Sequence, residues 1–157
     1  MFKHILVPTD GSTLSLRAAK NAVRFAKVHG ARITAFYAAP EYHPNIAGDY
    51  LPANFVPLAV FQKQIKKTAE KYLEQIKKLA TVGGVACSGM YASADSPYQA
   101  IIKAAKERKC DLIFMASHGR SGIAGLLIGS ETSKVLTHCK LPVLVYRVSI
   151  PRQSRGL

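Results

Sequence analysis

Asp10 offers a carboxylate, His118 an imidazole, and Ser130 and Thr132 hydroxyls, and each lies within three residues of glycine in a short polar segment. Those segments are Thr9-Asp10-Gly11-Ser12 near the start of the chain, Ser117-His118-Gly119 late in it, and Gly129-Ser130-Glu131-Thr132 twelve residues on. Between the last two, four glycines fall within eleven residues: Gly119, Gly122, Gly125 and Gly129. Glycine lets the backbone approach a ligand closely and lets successive N–H groups point the same way, and a helix starting at Ser130 would add unpaired donors and the positive end of a dipole. Together these make a phosphate site. A flexible turn is the plain alternative for the same glycines.

The spacing excludes several nucleotide folds. No G-x-x-x-x-G-K-[ST] occurs, so a Walker loop is absent, and Thr9-Asp10-Gly11-Ser12 is not the G-x-G-x-x-G of a dinucleotide fold. A phospho-receiver domain would need clustered acids at strand ends, where only Asp10 is available. For catalysis, Asp10, His118 and Arg120 are the possible participants, without a lysine in the loop or a carboxylate pair for magnesium. No catalytic residue and no protein-held metal are expected on that ground.

The elements that must position these residues alternate between strand and helix, which predicts an α/β fold with a parallel sheet covered on both faces. The first strand runs from His4 to Pro8. A helix with Leu16, Ala19, Ala22, Val23 and Ala26 follows at spacings of three and four and stops at Gly30. Arg32 to Ala39 is a second strand, and residues 40–57 are a loop with Pro40, Pro44, Pro52 and Pro57. The next helix carries Phe61, Ile65, Ala69, Tyr72, Ile76 and Leu79 and ends at Gly83-Gly84. Val85 to Tyr91 reads as a third strand, and Ser96-Pro97 as the cap and first position of a helix through Ile101 and Ala105. Asp111 to Ala116 is apolar after its one acid, as a central strand buried on both faces would be. Ser130 to His138 is the last helix and Leu141 to Tyr146 the fifth strand.

Ligands of open α/β sheets bind beyond the carboxyl ends of the strands, where the strand order reverses. Asp10 and the glycine-rich loop both lie at such ends.

Two separated stretches carry a resemblance. Ile5-Leu6-Val7-Pro8-Thr9-Asp10-Gly11-Ser12 resembles the opening of universal stress proteins. Met115-Ala116-Ser117-His118-Gly119, nine residues, then Gly129-Ser130-Glu131-Thr132-Ser133-Lys134-Val135-Leu136 and Leu141-Pro142-Val143-Leu144-Val145 resemble the family's carboxyl-terminal signature. The ATP-binding branch carries G-x2-G-x9-G-[ST]; Gly119, Gly129 and Ser130 fit it, and Ala116 stands where its first glycine would be. The resemblance implies a Rossmann-like single-domain open sheet of five parallel strands over residues 1–147, followed by a basic tail at 148–157. It implies ATP, with Mg2+ held mainly by the phosphates. By position, Asp10 would bind ribose, with Pro8 and Thr9 beside it, Ala38 would meet adenine through its backbone, and Met115 and Ala116 would form an apolar wall. His118 and Gly119 would follow sugar and phosphates, and Gly129, Ser130, Glu131 and Thr132 would offer N–H groups or hydroxyls. A homodimer through the last strand, with Val143, Leu144 and Val145 as its apolar edge, is also implied.

The function expected is a nucleotide-dependent stress-response sensor or regulator, with slow ATP hydrolysis using His118 or an ordered water as the alternative. The charge opens a third reading. With 22 basic and 9 acidic residues, the 157-residue chain has a formal charge of +13, enough to consider nucleic acid. No recognition helix or aromatic platform stands out, and Lys63, Lys66, Lys67, Lys71, Lys77 and Lys78 read as the wet face of one helix, so nucleic acid is not the expected partner. No run approaches the roughly 18 apolar residues of a membrane span, and the amino terminus lacks the pattern of a signal peptide, so a cytoplasmic location with no membrane partner is expected. Cys87, Cys110 and Cys139 are too scattered for a zinc site and read as reduced structural thiols.

Overall fold

A computed structural model describes residues 1–44, 52–119 and 128–148. Nine elements alternate along the chain: β1 (His4–Thr9), α1 (Thr13–His29), β2 (Arg32–Ala39), α2 (Leu58–Gly83), β3 (Cys87–Ser93), α3 (Pro97–Glu107), β4 (Leu112–Ala116), α4 (Ser130–His138) and β5 (Val143–Tyr146). The strands form one sheet in the order β3-β2-β1-β4-β5, and every pairing is parallel. Parallel strands need helical crossovers, which is why a helix stands between each strand and the next. The open five-stranded α/β fold expected from the alternation is the fold observed.

Alternation along the strands sorts the core into two layers. Ile5, Val7, Leu112 and Phe114 face α1 and α2, where Ala18, Ala22 and Ala26 let the helix approach closely. Leu6, Phe36, Ile113 and Met115 face α3 and α4, against Ala100, Ala104 and Val135. All residues of β1 and β4 are buried, as central strands covered on both faces must be. Truncating Phe36, which is fully buried, would cost about 3–5 kcal/mol.

Element ends shift by a residue or two from their expected places, each for a local reason. β1 extends to Thr9 by pairing with Tyr37. The third strand begins at Cys87 instead of Val85 because Val85 closes α2: Gly84 adopts a left-handed conformation, and the Val85 N–H donates to the Ala80 carbonyl at 2.9 Å. Asp111 stays outside β4 because its carboxylate accepts the N–H groups of Lys3 (2.7 Å) and His4 (3.0 Å). The fifth strand is shorter than expected, at Val143–Tyr146. The three cysteines are free thiols, and burial pushes Cys110 up to about 11. No helix among the described residues is long and apolar enough to cross a membrane.

Candidate nucleotide site at the carboxyl edge of the sheet

β1 lies between β2 and β4, so the chain leaves the middle of the sheet in opposite directions after it. This is the point of order reversal where open α/β sheets form their ligand crevice.

The exit of β1 is built by four short-range hydrogen bonds. The Thr9 hydroxyl accepts the Gly11 N–H (3.1 Å) and bonds the Ser15 hydroxyl (3.0 Å). Asp10 Oδ1 accepts the Ser12 N–H at 3.0 Å, and Ser12 Oγ caps α1 through the Ser15 N–H at 3.1 Å. Gly11 has φ +76°, and a Cβ there would overlap the Tyr72 ring of α2. Only glycine meets both demands. Pro8 precedes this turn inside the core of the sheet.

The exit of β4 comes to the same place. A Cβ added to Gly119 would stand 2.6 Å from Asp10 Oδ2, so the second carboxylate oxygen lies directly over the glycine. Before it, the Ser117 N–H donates to the Tyr146 carbonyl (2.8 Å) and its hydroxyl bonds His118 Nδ1 (2.9 Å). Among the described residues, His118 Nε2 is buried without a hydrogen-bond partner. Residues 120–127, including Arg120 and most of the glycine-rich loop, lie outside the described residues.

α4 then returns the chain to β4. The Gly129 N–H donates to the Ser117 carbonyl at 2.6 Å, and a Cβ on Gly129 would stand 3.2 Å from that oxygen and 3.3 Å from His118 Cα. The Thr132 hydroxyl donates to the Ala116 carbonyl at 2.9 Å. These contacts aim the start of α4 at the crevice, where the N–H groups of Ser130, Glu131 and Thr132 have no carbonyl four residues earlier within the helix. Gly129 is the cap residue, and no side chain caps the helix.

Sequence reasoning and structure therefore agree on the neighbourhood of Asp10, His118, Gly119, Gly129 and Ser130 and differ on some side chains. Thr132 spends its hydroxyl proton on Ala116. Glu131 turns its carboxylate away, accepting the Tyr98 N–H (2.9 Å) and Lys134 Nζ (2.9 Å). It thus serves the amino-terminal turn of α3, a place expected to be capped by Ser96, whose side chain makes no cap bond. Met115 and Ala116 are buried on opposite faces of the sheet, Met115 toward α3 and α4 and Ala116 toward α1 and α2. The methyl group of Ala116 is thus core packing. Ala38 pairs with Ala92 on β3 and is half-buried near the end of β2.

Ser117 was not singled out by the sequence, although it orients His118. A serine before histidine carries no spacing signal, although the two are chain neighbours joined by the Ser117 hydroxyl. The sequence also passed over Glu41, His43 and Asp95, exposed residues whose ligating atoms lie within 4.8 Å of one another. Their convergence joins loops 52 residues apart through a 2.6 Å His43 Nε2 to Asp95 Oδ1 contact. That hydrogen bond, with the carboxylate's charge, raises the His43 pKa. A cavity of about 390 Å3 lies beside them between β2, β3 and α3, lined in part by Phe36, Met90, Asp95 and Gln99. It is separate from the crevice between β1 and β4.

The family model for the universal stress protein family matches residues 1–147. The chain belongs to the universal stress protein family. A universal stress protein of Methanocaldococcus jannaschii is 32% identical over 147 residues, covering 94% of this chain and 83% of the relative. Universal stress protein YxiE of Bacillus subtilis is 32% identical over 151 residues, covering 94% of this chain and 100% of the relative. Among solved structures, protein MJ0577 of Methanocaldococcus jannaschii superposes with a TM-score of 0.79 at 25% identity, over 96% of this chain and 99% of that one. A universal stress protein solved in complex with cAMP gives 0.70 at 24% identity, over 94% and 99%. An Arabidopsis thaliana family member solved with AMP bound gives 0.65 at 15%, over 94% and 92%. The expected family and fold are both found.

Proposed function

We propose that this universal stress protein binds an adenine nucleotide, ATP foremost, at the crevice between β1 and β4, and acts as a nucleotide-dependent sensor or regulator in the stress response. The observation that carries the reading is the meeting of Asp10 Oδ2 with Gly119 beside the open amino-terminal turn of α4. A carboxylate there can accept ribose hydroxyls, while glycine backbone and the helix start favour phosphate. Pro8, Thr9 and Ala38 would border the sugar and base, and His118 and the N–H groups of Gly119, Gly129, Ser130, Glu131 and Thr132 the phosphates. Relatives solved with cAMP and AMP support an adenine nucleotide as the ligand class. Asp10 is the one carboxylate placed at the crevice among the described residues, which suits Mg2+ held chiefly by phosphates and water.

A second reading, slow ATP cleavage, is favoured by one feature: Ser117 holds His118 Nδ1, and the buried Nε2 has no partner among the described residues. A ring so held could accept a proton from water. In the first reading the domain covers residues 1–147, with 148–157 as a tail. It pairs through β5, whose Val143, Leu144 and Val145 are half-buried at the sheet edge. Its cytoplasmic placement accords with three free cysteines.

Titration calorimetry with ATP, ADP and AMP tests the binding, and incubation with ATP followed by assay for ADP and phosphate tests cleavage. Binding without product favours the sensor, and product formation lost in His118→Ala while ATP remains bound favours the hydrolase. Absence of heat with all three nucleotides at millimolar levels overturns both.

A further inference from the structure

Among the described helices, positive charge is concentrated on one layer. α1 carries Arg17, Lys20, Arg24 and Lys27 and no acid. α2 carries six lysines and two glutamates, Glu70 and Glu74. On the opposite layer α3 and α4 together hold three lysines and two glutamates. Ten cations against two acids on the helices of one layer, and three against two on those of the other, or six against two with the exposed Arg108, Lys109 and Lys140 that follow α3 and α4, is an asymmetry that the sequence order conceals. It arises because the strand order brings α1 and α2 side by side over the same core. Packed helices lie about 8–10 Å apart, so their basic faces form one surface.

The positions are regular. Arg17, Lys20, Arg24 and Lys27 recur at spacings of three and four and are all exposed, giving one acid-free stripe along α1. Lys63, Lys67, Lys71 and Lys78 are exposed along α2. Of its acids, Glu70 is paired with Lys66 at 4.0 Å.

Both stripes end in an exposed valine. Val28 lies four residues after Arg24 and is 83% exposed, and Val82 lies four residues after Lys78 and is 90% exposed. Spacing of four keeps each valine on the face of its cation. Both helices finish at the amino edge of the sheet, where Met1 is also 90% exposed beside the start of β1. These are the three most exposed large hydrophobic residues described.

Lysine and arginine collars around exposed apolar side chains match an anionic lipid surface, where cations meet headgroups and short apolar groups enter the boundary. A nucleic-acid backbone would match the cations and leave the valines without a use. We infer that the α1–α2 face docks on anionic lipid bilayers, with Val28 and Val82 entering the headgroup boundary. Contact is peripheral, and it stands independently of the nucleotide crevice, which opens at the opposite edge of the sheet.

The test is sedimentation of the full chain with vesicles of phosphatidylcholine alone, with vesicles containing phosphatidylglycerol, and with duplex DNA at equal salt. Binding to the anionic vesicles alone is expected, weakening as salt rises. The triple variant Arg17→Glu, Lys20→Glu, Arg24→Glu should weaken that binding roughly a hundredfold or more, since each cation near a charged bilayer contributes about 1 kcal/mol. Lys103→Glu with Lys106→Glu, on the other layer, should change it less than threefold. Val28→Ser with Val82→Ser should weaken it roughly tenfold while leaving its salt dependence intact. Circular dichroism melts confirm that each variant is folded. No binding to anionic vesicles, equal loss from both layers, or binding to DNA with no effect of the valine pair would each overturn the inference, the last in favour of nucleic acid.

Discussion

Each edge of the sheet carries a histidine at a strand end with one ring nitrogen bonded and the other buried without a partner among the described residues, and the two differ in what the bonded nitrogen reaches. At the amino edge, His4 opens β1 and its Nε2 bonds Thr34 Oγ1 at 2.8 Å, which in turn bonds Ser88 Oγ at 3.2 Å. Asp111 pins the backbone of Lys3 and His4 below it. At the carboxyl edge, His118 follows β4 with its bonded nitrogen, Nδ1, on the neighbouring Ser117, beside Gly119 and Gly129. The first edge ties three strands together across the sheet. The second bonds its imidazole to the adjacent residue alone, so among the described residues it links no strands.

Several substitutions would break or sharpen that contrast. The largest effect is expected from Gly11→Ala, which forces a Cβ into the Tyr72 ring at a φ that alanine disfavours. A loss of about 2–4 kcal/mol is expected from urea unfolding. Next, Asp10→Ala should keep the fold but weaken ATP binding roughly tenfold to a hundredfold by calorimetry, the magnitude of hydrogen bonds to a charged group.

At the amino edge, burial first and Arg32 second hold the His4 imidazole below its ordinary range. The unfolded chain therefore takes up a proton as pH falls through 6.5, before the folded chain does. Unfolding then binds protons, so stability should decline below that pH and be level above it. His4→Gln should flatten the decline while costing about 1 kcal/mol at neutral pH, and it should leave nucleotide affinity unchanged. The smallest effect concerns the exposed pair: Asp95→Asn removes the main cause of the raised His43 pKa, so a ring-proton NMR titration should move its midpoint downward with no detectable change in stability.

Much of this was legible beforehand. β2 over Arg32–Ala39 and α4 over Ser130–His138 were readable to the residue, because glycine or a polar cap marks an end and apolar periodicity marks the span between. The meeting of Asp10 with the late glycines was expected from strand ends sharing one edge. Val85 was misplaced into a strand because an apolar residue after glycine can serve either a strand or a helix cap, and local pattern does not distinguish them. Glu131 was expected to offer its N–H at the helix start, and that its carboxylate serves α3 was not legible, since a partner 33 residues away leaves no mark on spacing.

By itself the sequence determined the kinds of element, their order and the two glycine-bounded turns, because periodicity, capping and backbone freedom act over a few residues. Tertiary structure decided which side chains share a space: Asp10 over Gly119, Glu131 under the start of α3, and the basic stripes of α1 and α2 on one face. Those outcomes depend on strand order, and strand order follows from how two core layers bury their apolar surface together, a property of the whole chain that no local segment contains.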